Sequence, residues 1–250
     1  MQSTQPLLQA YNLSGIQLKN RVIMAPMTRS RADNEGNTPT DIHVKYYTQR
    51  AGAGLIISEG SQVSKEAVGY INTPGIYSKE QVEGWKKVTA AVHDEGGKIF
   101  IQLWHVGRMS HPDFHNGDKP LAPSAVNPDA KAFTTEGFKE TVEPRAMTLE
   151  DIKRTQDDFV KAAKNAKEAG FDGVEIHSSN GYLFHQFFNT KSNLREDEYG
   201  GSVENRTRFF FETLNKIKEV WDENRIGVRL NPSLNGVFGI NATPETIPTF

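Results

Sequence analysis

Short, nearly continuous apolar runs alternate along this chain with longer stretches whose apolar residues recur at helical spacing. Residues 21–27, 55–60, 98–103, 173–177 and 226–231 are runs of the first kind. Segments apolar almost throughout suit strands buried on both faces of a parallel sheet. Between them, Ser78 and Gln81 form a capping box opening a helix that stops at Gly96 and Gly97. Thr148 opens another, with Ile152, Phe159, Ala162, Ala163, Ala166 and Ala169 on one face and a stop at Gly170. Ser202 caps a third, whose Phe210, Leu214, Ile217 and Trp221 share a face. Strand then helix, repeated, predicts parallel β/α units with right-handed crossovers.

One connection breaks the alternation. Residues 107–147 carry Pro112, Pro120, Pro123, Pro128 and Pro144 and no helical period. A loop of that length in a compact domain is a lid or a binding excursion, and it follows the third strand, on the face where barrels place their chemistry. Five strand units and this excursion use the whole chain, whereas a closed β/α barrel has about eight. The tail after Asn231 is polar, carries Pro232, Pro244 and Pro248, and offers no sixth strand. The pattern leaves an open α/β sheet and an incomplete barrel both standing.

Composition narrows the function classes. A chain of 250 residues can bury a full core within one domain, and 36% apolar with 24% charged residues is the make-up of a soluble globular protein. A net charge of −2 gives no electrostatic footprint for a polyanion, so nucleic acid is not an expected partner. The absence of cysteine excludes disulfides, cysteine-ligated metals and a thiol nucleophile, and fits a cytoplasmic location. The first residues lack the basic and apolar regions of a signal peptide, and no apolar run approaches the ~20 residues that span a bilayer.

Polar or special residues sit past the carboxyl end of every predicted strand: Pro26, Met27 and Thr28; Glu59 and Gly60; Gln102 and Trp104; His177 to Tyr182; and Arg229. Carboxyl ends of strands are where α/β enzymes converge side chains on a ligand. His177 and Asn180, three apart on a helical turn, face the same way and can donate to one oxygen, while Tyr182 supplies a phenol proton that solvent can restore. The same segment also reads as an ordinary strand-to-helix turn, with Asn180 and Gly181 for its geometry. Arg229 at a buried strand end requires an anionic partner, a structural carboxylate or a cofactor that becomes anionic. Gln102 offers donor and acceptor together, suited to a heterocycle edge or to a satisfied core amide. His105, His111 and His115 lie in the proline-rich excursion with no carboxylate at ligand spacing, so no metal site is expected. Gly52 and Gly54 precede a strand instead of following one, the wrong context for a phosphate loop. The charged stretch 195–206 reads as a structural surface loop leading into a helix.

Met24-Ala25-Pro26-Met27-Thr28-Arg29, Ser58-Glu59-Gly60, Gln102-Leu103-Trp104-His105, the run 173–186 and the stretch 199–206 together resemble the old yellow enzymes, FMN-dependent ene-reductases on a TIM (β/α)8 barrel. The resemblance covers essentially the whole chain and favours the barrel. It implies one incomplete barrel domain over residues 1–250, about five of eight units, with the excursion after the third strand, at about 107–147, in the lid position. The family continues for roughly three more strands, and loops after the last strands typically grip the ligand phosphate. A second chain or segment is therefore an expected partner.

By position, the resemblance implies that Ala25, Pro26, Met27 and Gly60 pack against the isoalloxazine ring and that Thr28 bonds its O4, where a related subgroup has cysteine. Gln102 and Arg229 would hold the pyrimidine edge, Arg229 offsetting charge on the reduced ring. His177 and Asn180 would bind the carbonyl or nitro oxygen of an enone, enal or nitroalkene, with His177 also beside the flavin. Hydride would pass from flavin N5 to the β-carbon and Tyr182 would protonate the α-carbon. Tyr70 and Trp104 match substrate-pocket positions, and NADPH or NADH would reduce the flavin first. The alternative is a non-catalytic barrel fragment, an assembly partner without flavin.

Overall fold

The computed structural model describes residues 5–231, 235–238 and 240–241. Its centre is a parallel sheet of five strands, β1 (Ile23–Met24), β2 (Leu55–Gln62), β3 (Ile99–Trp104), β4 (Gly173–His177) and β5 (Ile226–Arg229). The spatial order follows the chain, each strand pairing with the next. That is the arrangement right-handed β/α crossovers produce. The predicted strands are all present, the first trimmed to two residues.

Helices α1 (Asp41–Thr48), α2 (Lys79–Asp94), α3 (Leu149–Glu168), α4 (Leu183–Phe188) and α5 (Val203–Lys218) connect or follow the strands. The capping box at Ser78 forms as predicted, Thr148 opens α3 with a capping box to Asp151 that the sequence reading did not name, and Ser202 accepts from the Asn205 N–H at the start of α5. α1 has no counterpart in the sequence reading, because only His43 and Tyr47 of its eight residues are buried.

Strand alternation divides the apolar residues between two faces. Ile56, Ile99, Ile101, Leu103, Val174 and Ile176 join the main core with Trp85 of α2, Phe159 of α3 and Phe209 of α5. Leu55, Ile57 and Phe100 face the other way, where Ile16 and Leu18 of an antiparallel hairpin (Tyr11–Leu13 and Ile16–Leu18) pack on them. Residues 107–147 carry structure of their own: a hairpin of Lys131–Thr134 with Gly137–Glu140, and Leu121–Ala122 parallel to Arg145–Ala146.

The tail departs from expectation. It carries a short antiparallel hairpin, Asn235–Val237 with Ile240–Asn241, separate from the central sheet. The stretch 195–206 is structural but not confined to the surface. Arg206 is buried and donates from Nε to the Phe188 carbonyl, and Arg195 reaches the carbonyls of Pro123 and Met147.

Candidate active site

A cavity of about 140 Å³ opens at the carboxyl ends of the sheet strands, lined by Pro26, Thr28, Gly60, Gln102, Trp104, His177, Asn180, Tyr182 and Arg229. Residues from all five strand ends therefore meet in one place. Ala25 and Met27 are exposed beside it, and Tyr70 borders it through its contacts with Trp104 and Tyr182.

The β2 end is shaped by a bulge. Ile57 pairs with Phe100 but Gly60 with Gln102, so β2 carries one extra residue there. Such a bulge re-aims side chains beside a site. Ser58 repairs the broken ladder, accepting from the Gln102 N–H at 3.2 Å and donating to the Glu59 carbonyl at 2.9 Å. Beyond the bulge, the missing side chain of Gly60 admits Trp104, since a Cβ there would lie 2.5 Å from the indole.

Four rings build the wall. Trp104 stacks between Tyr70 (centroids 5.3 Å apart, planes 22°) and His177 (6.0 Å, 14°). Tyr182 stands edge-on to Trp104 at 4.9 Å and to His177 at 5.0 Å, and its hydroxyl lies 2.9 Å from that of Tyr70. The buried Trp104 indole N–H has no hydrogen-bond partner among the described residues.

His177 and Asn180 do face one cavity, but not by sharing a helical turn. His177 ends β4, and the chain then turns through left-handed Asn180 (φ 58°) and Gly181 (φ 81°) before Tyr182, in extended conformation, precedes α4. Asparagine and glycine are the residues that tolerate this region best. Every residue of α4 is buried, so the turn is anchored on the core.

The protonation pattern follows from burial. Desolvation lowers His177 to about 3, with the charges of Arg229 and His185 adding to it, so the ring is neutral. Its Nδ1 accepts from the Ser179 N–H at 3.3 Å, which puts the ring proton on Nε2 as a donor. Asn180 Oδ1 accepts from Asn231 at 3.0 Å, leaving the amide nitrogen as its second donor. Tyr182 is pushed well above the ordinary phenol range by burial and by Tyr70, so it keeps its proton.

Two expectations change. Arg229 is exposed, not buried, because β5 is an edge strand of the described sheet. Its carboxylate neighbour is Glu175, which the sequence did not single out. Burial raises Glu175, while the hydrogen bond from Gln102 Nε2 (2.7 Å) and the charge of Arg229 lower it. Gln102 thus spends its amide nitrogen on Glu175 and keeps its oxygen as acceptor.

Two further buried groups have contacts to which the sequence assigned no role. Glu59 accepts from the Tyr47 hydroxyl at 3.1 Å and the Arg29 N–H at 3.0 Å, and desolvation raises it to about 7. Gln186 on α4 donates to the carbonyls of Val106 and Gly181 and accepts from the Arg108 N–H. Glu59 was marked in the sequence only as a strand-end residue, and Gln186 only as the last residue of the run 173–186, neither with a role. Among the described residues no group of His, Cys, Asp or Glu could hold a metal, and no described helix is long and apolar enough to cross a membrane.

Comparison with known proteins gives a consistent likeness. The model of the NADH:flavin oxidoreductase / NADH oxidase family matches residues 6–242. The chain is 44% identical over 232 residues to the flavin oxidoreductase hxnT of Emericella nidulans, covering 91% of this chain and 60% of that protein. The solved old yellow enzyme homologue from Zymomonas mobilis superposes with a TM-score of 0.92 at 43% identity, over 97% of this chain and 68% of that one. Morphinone reductase in complex with tetrahydroNAD gives a TM-score of 0.91 at 44% identity, over 97% and 68%. The chain spans about three-fifths to two-thirds of the length of curated relatives such as hxnT.

Proposed function

The chain belongs to the NADH:flavin oxidoreductase / NADH oxidase family, and from that membership we propose that it is an FMN-dependent ene-reductase of the old yellow enzyme type. The observation that carries the reading is one cavity lined jointly by Thr28, Gly60, Gln102, Trp104, His177, Asn180, Tyr182 and Arg229.

The residues present fit a flavin ring. The Gln102 oxygen, the Thr28 hydroxyl and the Arg229 cation are a donor and acceptor set for a planar heterocycle that gathers negative charge. Ala25, Pro26, Met27 and Gly60 would bound the ring, Thr28 would bond O4, and Gln102 with Arg229 would hold the pyrimidine edge. When bound, FMN supplies hydride, taken from NADPH or NADH and delivered to the β-carbon of an enone, enal or nitroalkene.

The chain's own part is to polarise and protonate. Neutral His177, through Nε2–H, and the Asn180 amide donate to the substrate oxygen and draw electron density from the double bond. Tyr182 gives its proton to the α-carbon, and Tyr70, at 2.9 Å, keeps the phenol aimed. Tyr70 and Trp104 bound the substrate.

The same reading treats residues 1–250 as one incomplete (β/α)8 domain holding about five of eight units, with residues 107–147 as its lid. A further segment or a second chain completes the barrel and grips the phosphate. Support comes from the longer solved relatives and from Val228 (37%) and Leu230 (44%) exposed at the β5 edge.

The test is to supply FMN, NADPH and 2-cyclohexenone to the chain, alone and with the carboxyl-terminal third of a homologue. Bound-flavin absorbance and enone-dependent NADPH oxidation are expected once the barrel is completed. A colourless mixture with no oxidation in either case removes the enzyme reading and leaves a flavin-free assembly fragment.

A further inference from the structure

We propose that Arg108 is a positioning residue that latches the 107–147 excursion to the tail turn and thereby fixes the aromatic wall over Tyr182. Arg108 is 1% exposed. Its Nη1 donates to the Val126 carbonyl and its Nη2 to the Phe238 carbonyl, each at 2.9 Å. Val126 belongs to the excursion and Phe238 to the turn of the tail hairpin, segments that share no strand pairing. One guanidinium fork joins them.

The latch stands on a fixed base. The Arg108 N–H donates to Gln186 Oε1 at 3.1 Å, and Gln186 Nε2 holds the Gly181 carbonyl at 2.8 Å, the residue before Tyr182. The preceding Gly107 is required because a Cβ there would lie 2.2 Å from the Gln186 amide. What the latch holds matters to the site. The Phe238 ring lies 6.0 Å from Tyr182 and packs in one cluster with Tyr70, Trp104, Val106 and Met109. A Cβ on Gly181 would come within 3.0 Å of Phe238.

Stability alone is a poor account of this arginine. Burial depresses the guanidinium to about 10, with Asp129 only partly offsetting it, and Nε is buried without a partner among the described residues. A buried cation resting on carbonyls gains little over an apolar side chain of its size. Its two-pronged reach to separate segments is what an apolar replacement lacks.

Hydrogen exchange on the full chain, without flavin or substrate, tests the proposal in Arg108→Met and Arg108→Lys. In Arg108→Met, amides of 124–130 and of 235–238 should both exchange about tenfold faster while α2 and α3 keep their protection. Arg108→Lys, with charge but no fork, should lie between, and it carries the test if Arg108→Met does not fold. Acceleration in only one segment or in neither overturns the latch. So does equal loosening of α2 and α3, which marks ordinary core support. The role in substrate binding rests on the ene-reductase reading. In the flavin-loaded enzyme, Arg108→Lys should raise KM for 2-cyclohexenone several-fold and leave flavin reduction by NADPH unchanged, and equal loss in both half-reactions overturns that role. A failed enzyme reading leaves the exchange result intact, so the two failures are distinguishable.

Discussion

Tyr182 keeps its proton because burial and the neighbouring Tyr70 hydroxyl both oppose the phenolate, and its ring is held by edge contacts with Trp104 and His177. On the ene-reductase reading proposed above, Tyr182→Phe preserves those contacts and removes only the acid. Alkene reduction is expected to fall by about 10²–10⁴-fold with flavin reduction by NADPH unchanged. Stopped-flow measurement of the two half-reactions separates them, and an unimpaired oxidative half-reaction excludes Tyr182 as donor. At this scale the sequence exposed the residue types and their cluster. It did not expose the left-handed Asn180, the Asn231 bond that orients its amide, or the Glu175 carboxylate between Gln102 and Arg229. Each depends on a partner brought close by the fold.

At the scale of elements, the strand and helix pattern was largely readable because long apolar faces and caps are local signals, as at α2, α3 and α5. The bulge in β2 was not, since an extra residue is defined only against the neighbouring strand. Its consequence can be measured. Gly60→Ala drives a Cβ to 2.5 Å from the Trp104 ring, and overpacking of this kind costs about 1–3 kcal/mol. A lower urea midpoint should accompany altered tryptophan fluorescence as Trp104 leaves its stack. A variant with an unchanged midpoint shows that the ring has room the geometry denies.

For the whole molecule, acid sensitivity follows from its buried histidines. Burial holds His43, His105, His115, His177 and His185 below their ordinary value, His105 and His177 at about 3 and His185 at about 4. Between those values and about 6.5 the unfolded chain binds protons that the folded chain refuses, so their stabilisation is full above that point and lost as pH falls. Glu59, raised to about 7, and Glu175 and Asp158, also raised by burial, have the opposite sign, their contribution being lost as pH rises through the folded values. Five groups against three predict a urea midpoint that declines from pH ~6.5 to ~4. A midpoint flat or rising over that interval means these histidines are charged in the fold.

By itself the sequence determined the succession of β/α units, the helix starts, and the residue types waiting at each strand end, because periodicity, capping and strand polarity act over a few neighbours. Only the tertiary structure decided that Arg229 lies exposed on an edge strand, that 107–147 and the tail carry hairpins, and that Arg108 ties the two together. It also decided why His177 and Asn180 converge: a left-handed turn seated on the buried α4, not a shared helical face. Those outcomes depend on contacts between residues far apart in the chain, and periodicity carries no record of them.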